Sequence, residues 1–184
     1  ESERRMALAI AGSGTGIWDR NILSGEIHYS AGWKSILGYA DHEVSNLIED
    51  SYKRVHPDDL AYVQAAIQAH QEEKIPSYSV EHRLRCKDGS YKWVSSRGKV
   101  ISRDSAGRPL RMIGTTSDIT ERKRIEAELQ EFATTDFLTQ LPNRRHFMSH
   151  IEAELTRIQR GNSQSAAVLM CDLDHFKSIN DQWG

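Results

Sequence analysis

Along residues 78–85 apolar and polar positions alternate strictly. Tyr78, Val80, His82 and Leu84 fall on one side, and Ser79, Glu81, Arg83 and Arg85 on the other. That period predicts a half-buried strand. Lys87-Asp-Gly-Ser90 follows as a hairpin signal. A second strand is expected over 91–102, a turn at Asp104-Ser-Ala-Gly107 and a last strand over 110–117. Upstream, residues 16–22 and 26–29 read as a hairpin with its turn at Ser24-Gly25. Between the two strand groups the spacing becomes helical. A short helix over 31–37 closes at Gly38, a residue suited to the left-handed C′ position. Asp41 is expected to cap a further turn through Glu43 and Val44. His56 precedes a proline and is therefore extended, while Pro57 opens a longer helix running to about residue 73. Leu60, Val63, Ile67 and His70 give that helix its apolar stripe. Residues 2–11 form a short helical run broken by Gly12, Gly14 and Gly16. No strand precedes these glycines, so they do not read as a phosphate loop.

Beyond residue 118 the pattern stays helical. Thr120 is placed to cap a helix and Glu121 favours its positive end. Ile125, Leu129 and Phe132 recur at coiled-coil spacing. The same stripe also fits a solvated helix with a modest apolar face. Pro142 stands near the start of a helix carrying Phe147, Ile151, Leu155 and Ile158 on one face and ending at Gly161. The apolar run Ala166-Ala-Val-Leu-Met-Cys171 predicts a buried strand that delivers Asp172, Asp174, Lys177 and Asn180 to one loop. A carboxylate at a strand end suits Mg²⁺, a lysine meets phosphate as a point charge, and an asparagine can read a base edge. The plain alternative is a solvated turn with scattered charges. An apolar strand without neighbours would pair with another edge, swap or stay unstructured.

Charge and cysteine usage narrow the classes. Across 184 residues, 24 Lys and Arg stand against 26 Asp and Glu, a formal net charge of −2. That balance argues against a broad nucleic-acid surface. Cys86 and Cys171 lack metal or redox spacing, which suits a reducing cytoplasm. No apolar run is long enough to span a bilayer, and Glu1 opens no signal peptide. The missing initial methionine points to a piece of a longer parent, whose upstream part could carry a membrane anchor.

The order of two strands, short helices and three strands resembles a PAS domain. The resemblance rests on Gly16-Ile-Trp-Asp19, Trp33-Lys-Ser-Ile-Leu-Gly-Tyr39, His56-Pro-Asp-Asp59, Lys87-Asp-Gly-Ser-Tyr-Lys-Trp-Val94 and the terminal Asp118-Ile-Thr120. The tryptophan-rich form is similar to PAS fold type three. It implies an α+β fold with a five-stranded antiparallel sheet, and a sensor or dimerisation role. Candidate pocket residues are Trp18, Tyr39, Tyr52, Ile67, His82 and Met112. Taken singly, each reads more readily as plain core, because large apolar residues are usually inside. The photoactive flavin type needs a reactive cysteine before the long helix, and that motif is absent. Haem needs an axial histidine. His82 is the best inward candidate, His56 looks structural and His70 sits near the helix end. Neither flavin nor haem is expected, and the PAS ligand is unassigned.

Thr135-Asp-Phe-Leu-Thr-Gln-Leu-Pro-Asn-Arg-Arg-His-Phe147 and the later Asp172-Leu-Asp-His-Phe-Lys-Ser-Ile-Asn-Asp181 resemble the opening part of a GGDEF domain, the diguanylate cyclase catalytic domain. Gln140 departs from the glycine usual at its position. If that position needs a tight turn, Gln140 strains the backbone without removing chemistry. The resemblance implies a metal carboxylate at Asp172, with the Leu173 carbonyl near the same ion. It implies a phosphate turn at His175, Phe176 and Lys177, and a guanine contact at Asn180. Asp174 has a supporting role. The cofactors implied are Mg²⁺ and GTP, and the reaction joins two GTP into cyclic di-GMP with release of pyrophosphate. The Gly-Gly-(Asp/Glu)-Glu-Phe loop does not occur in this sequence. The chain by itself is therefore expected to be inactive.

The domain reading is an N-terminal helix over 1–11, a PAS domain over 12–120, a signalling helix over 121–134 and an incomplete α/β GGDEF segment over 135–184. Asp118, Thr120, Ile125, Leu129 and Phe132 carry the signal. The expected function is the sensory module of a diguanylate cyclase, dimeric through the PAS domain and linker helix, with a small-molecule ligand as an option. It is expected to be cytoplasmic and to contact neither nucleic acid nor membrane. The alternative is a non-enzymatic signalling module joined to a degenerate GGDEF domain.

Overall fold

The computed structural model describes residues 14–161 and 165–183. The helix expected over 2–11 lies outside them. The chain divides into two compact units, residues 1–126 and 127–184.

The first unit is built on one antiparallel sheet. β1 (Thr15–Asn21) and β2 (Glu26–Tyr29) form the early hairpin, and β3 (Tyr78–Arg85), β4 (Tyr91–Arg103) and β5 (Pro109–Asp118) the later meander. Their spatial order is β2-β1-β5-β4-β3. Three helices cross one face: α1 (Ala31–Ile36), α2 (Ile48–Tyr52) and α3 (Pro57–Gln71). Side chains alternate across a strand, so one residue in two points under these helices. On β3 the burial alternates accordingly, with Tyr78, Val80, His82 and Leu84 inside.

Local chemistry sets the element ends. Gly38, at φ +78°, closes α1: its N–H donates to Ser35 O and the next N–H, of Tyr39, to Lys34 O. This is the paired bonding of a left-handed helix stop. Pro57 stands at N1 of α3, and His56 Nδ1 accepts from the Asp58 N–H at 3.3 Å. Asp41 does not cap the turn after α1. It is the first residue of a short 3₁₀ turn, Asp41–Glu43, and pairs with Lys34 instead. Glu43 closes that turn by accepting from the Ala40 N–H at 2.7 Å.

Both outer strands are paired along part of their free edges. His56 N donates to Arg83 O and Arg85 N to Arg54 O along β3. Tyr62 Oη donates to the Glu81 carbonyl on the same edge. Along β2, Ile27 N donates to Asn46 O, and Ile48 N reaches Gly25 O in the turn just before the strand. His70 serves the interior of the sheet. At the irregularity between Val100 and Ser102, the Val100 N–H donates to His70 Nε2 at 3.0 Å. Nδ1 of the same ring bonds Ile75 O. Both nitrogens are satisfied, which makes His70 a structural clamp.

α4 (Thr120–Thr134) runs across the division between the units. The second unit continues with α5 (Arg144–Gln159) and α6 (Phe176–Trp183). Before α5, Asp136 Oδ1 accepts from Thr139 N at 2.9 Å and Oγ1 at 2.8 Å, and Asn143 Oδ1 caps the helix through His146 N at 3.0 Å. Gln140 adopts φ +59°, the left-handed region expected for a position where the family uses glycine. The strand expected over 166–171 does not form; those residues have no regular structure. A strand exists only through hydrogen bonds to a neighbour, and among the described residues of this unit none pairs with it.

Candidate functional site

The inner face of the sheet and the helices above it border a partly open cavity of about 70 Å³. Its floor is a row across four strands. Trp18 on β1 stands opposite Gly114 on β5, Gly114 opposite Gly98 on β4, and Gly98 opposite Tyr78 on β3. The indole occupies the space that side chains at the two glycines would take. It meets Tyr78 edge-on at 6.2 Å between ring centroids. Tyr29 stacks on Trp33 at 3.7 Å on the opposite side.

Of the residues singled out in the sequence, Trp18, Tyr52, Ile67, His82 and Met112 line the cavity. Tyr39 does not. It follows the helix stop at Gly38, and its ring lies 5.3 Å from the Arg54 guanidinium. Arg20 also lines the cavity and escaped the sequence reading. The available signal was period two: Gly16, Trp18 and Arg20 share one face of β1. Arg20 stands in register between Ile27 on β2 and Met112 on β5, both buried.

The polar groups of the cavity are unevenly satisfied. Ser96 Oγ and Thr116 Oγ1 bond each other at 3.0 Å. Tyr29 Oη bonds Ser51 Oγ, and burial pushes its phenol up to about 12, so it stays protonated. Burial also raises the Tyr78 phenol above its ordinary range. His82 is 4% exposed, and its Nδ1 has no hydrogen-bond partner. Burial pushes its pKa down to about 4 against the opposing pull of the Asp59 carboxylate, so the ring is neutral at pH 7. Arg20 gives one Nη1 bond to Tyr52 Oη at 3.0 Å, while its buried Nε has no partner.

The strand that carries His82 also grips α4. Glu81, one residue before it, accepts from Arg122 at 2.6 Å and lies 2.7 Å from Lys123 Nζ. Arg83, one residue after it, lies 5.3 Å from the Trp93 ring, as does Lys123 Nζ. Trp93 N donates to Thr120 Oγ1 at 3.1 Å, and Ile119 N donates to Trp93 O at 2.9 Å. Thr120 therefore does not cap α4. Its hydroxyl is taken by β4, and Asp118 Oδ1 accepts the Thr120 N–H at 2.9 Å. Farther along, Ile125, Leu129 and Phe132 are 45, 62 and 73% exposed.

In the second unit, Asp172, Leu173, His175, Phe176, Lys177 and Asn180 are exposed. Asp172 Oδ1 accepts the Leu173 N–H at 3.0 Å. His175, at φ +58°, turns the chain into α6, which carries Phe176, Lys177 and Asn180. No three metal-ligating side chains converge among the described residues. The oxygen donors at 172–173 are of the hard kind that Mg²⁺ takes, but they make up only part of a coordination shell.

Comparison with known proteins divides the chain in the same way. The family profile for the PAS fold matches residues 26–116, and that for the diguanylate cyclase GGDEF domain matches residues 133–184. A diguanylate cyclase of Vibrio cholerae is 30% identical over 151 residues, 82% of this chain and 44% of that protein. The probable diguanylate cyclase DgcC of Escherichia coli is 41% identical over 70 residues, 38% of this chain and 18% of that protein. The chain thus spans less than half the length of either relative. The crystal structure of a sensory box histidine kinase/response regulator from Burkholderia thailandensis superposes with a TM-score of 0.61 at 42% identity, covering 68% of this chain and 92% of that one. The N-terminal domain of a Marinobacter aquaeolei diguanylate cyclase with PAS/PAC sensor shares the fold, with a TM-score of 0.52 at 23% identity over 59% of this chain and 98% of that one. Among the described residues no helix is long and apolar enough to cross a membrane. The chain belongs to the PAS fold family through residues 26–116, and residues 133–184 are part of a diguanylate cyclase GGDEF domain.

Proposed function

We propose that this chain is the sensory and coupling part of a diguanylate cyclase, in which the PAS cavity holds a small molecule and α4 carries its effect to the GGDEF domain. The observation behind this reading is the double use of β3. His82 lines the cavity, while the neighbouring Glu81 and Arg83 hold the first turn of α4 directly and through Trp93. A ligand that shifts β3 shifts the seat of the helix.

In the parent, the reaction joins two GTP into cyclic di-GMP and pyrophosphate, so two GGDEF domains must face each other. The exposed Ile125, Leu129 and Phe132 supply a seam for a parallel helix pair that would set that geometry. Asp172 and the Leu173 carbonyl would bind Mg²⁺, which when bound neutralises charge on the triphosphate. The His175 and Phe176 amides at the start of α6, with Lys177, suit phosphate oxygens, and the Asn180 amide suits a guanine edge. The 184 residues alone are expected to lack cyclase activity, because the Gly-Gly-(Asp/Glu)-Glu-Phe loop is not among them. The setting expected is cytoplasmic.

The test uses the full parent polypeptide. Cyclic di-GMP formation from GTP should be lost in Asp172→Ala. In Leu129→Glu/Phe132→Glu it should fall together with the dimer fraction measured by light scattering. A parent that makes no cyclic di-GMP would favour the non-enzymatic module, and an unchanged dimer in the double variant would count against the helix seam.

A further inference from the structure

From the charge balance of the cavity we infer that the PAS ligand is a small carboxylate, anchored by Arg20. This rests on the sensor reading above and names the chemistry of its ligand. Among the described residues the cavity lining contains one cation, Arg20, and no acidic side chain. Elsewhere in the unit Arg83, Arg103, Arg108, Arg111 and Arg122 each hold a carboxylate within salt-bridge distance. Arg20 holds none. A guanidinium has five N–H donors in a planar fork that matches a carboxylate. Only one of them is used, on Tyr52, whose ring centroid lies 5.9 Å away.

Arg20 shares the cavity lining with Tyr29 and Tyr78. Its outward neighbour Asp19 cannot neutralise it, being paired with Arg111 through an Nε–Oδ1 bond of 2.8 Å. Arg20 is half-buried, but its Nε is sealed from water without a partner, and a charged donor left so is costly. A ligand carboxylate removes that cost and leaves its hydrocarbon end against Ile27, Met112 and the Trp18 ring. The polar groups toward the ring end, neutral His82 and the mutually satisfied Ser96–Thr116 pair, offer no second charge.

Size limits the class further. About 70 Å³ is roughly half of the ~150 Å³ cavity known to accept benzene. An acid of about three to five heavy atoms, on the scale of acetate or propionate, fits without repacking the core.

The test is titration calorimetry on this chain with acetate, propionate, butyrate and benzoate at constant ionic strength, with propionamide and chloride as controls. Native mass spectrometry identifies anything that co-purifies. Saturable one-to-one binding is expected for acetate or propionate, with propionamide weaker by at least about tenfold and chloride failing to compete. Arg20→Gln should abolish the preference for the acid. Tyr52→Phe, a milder change, should weaken acid binding several-fold and keeps the test open if Arg20→Gln does not fold. Equal binding of acid and amide, acid binding unaltered in both variants, or no binding by any acid overturns the inference. A neutral molecule found by mass spectrometry would overturn the carboxylate while leaving the sensor reading intact. Regulation of the parent cyclase tests that reading separately.

Discussion

The indole of Trp18 lies across the backbone of Gly114, where an added Cβ would come within 2.1 Å of the ring. The same ring extends over Gly98, where a Cβ would come within 2.4 Å. The two glycines differ in what else they would meet. At Gly98 only the indole is too close, the next atom being Ile113 O at 3.1 Å. At Gly114 the Arg97 carbonyl oxygen is also 2.1 Å away. Gly98→Ala and Gly114→Ala are both expected to destabilise by about 1–3 kcal/mol or more through overpacking. Adding Trp18→Phe should recover much of the loss for Gly98→Ala and little for Gly114→Ala. Urea titrations of the two singles and two doubles check this.

Asp59 and Arg83 form the most enclosed ion pair of the first unit. Asp59 Oδ1 accepts from Nη2 at 2.6 Å, and Oδ2 accepts from Nε at 3.0 Å and from the Arg83 backbone N–H at 2.8 Å. The Arg83 guanidinium holds the Asp59 carboxyl below its ordinary range despite burial. Asp59→Ala leaves Arg83 only the exposed Asp58 carboxylate, 3.6 Å away, at the α3–β3 contact. It is expected to cost about 3 kcal/mol, the lower end for breaking a buried pair, because the arginine is partly solvated. Thermal or urea unfolding provides the measurement.

His82 makes stability fall with acid. Its folded pKa of about 4 lies below the ordinary 6.5, so the unfolded chain binds the proton first. Its contribution is complete above pH 6.5 and is lost progressively as pH drops toward 4. The size is roughly 3 kcal/mol at about 1.4 kcal/mol per unit. His82→Gln should remove that part of the acid limb between pH 6.5 and 4. Identical pH profiles for the two proteins would rule out this role for His82.

Glu81→Gln separates stability from coupling. Its pairs with Arg122 and Lys123 are largely solvated, and such pairs contribute about 0–1 kcal/mol. Global unfolding should therefore change little. Amide exchange over residues 121–126 should accelerate, because the first turn of α4 loses its charged hold on β3. Unchanged exchange there would remove β3 from the proposed signalling route.

The strands of the first unit are legible because β3 alternates at period two and the others are bounded by Gly-containing turns. The α3 start was legible because His56-Pro57 permits little else. The left-handed Gln140 followed from a departure at one motif position. What failed depended on tertiary partners. Thr120 has the composition of a cap, yet its hydroxyl is claimed by Trp93 across the sheet. Asp41 likewise pairs with Lys34 rather than with its own turn. The run 166–171 has strand composition, but composition supplies no neighbour to bond. Arg20 is not legible because a charged residue in a strand reads as solvent-facing, although its register with Trp18 places it on the cavity face.

The free edges of both outer strands are engaged in part, β3 from Glu81 to Arg85 by residues 54–62 and β2 at Ile27 by residues 46–48. An added strand meets backbone that is already bonded at those positions, which guards the two rims there against ribbon-like aggregation. Self-association through side-chain surfaces leaves those bonds intact. It can then be tuned by single substitutions on those surfaces without disturbing the ladder that holds the cavity.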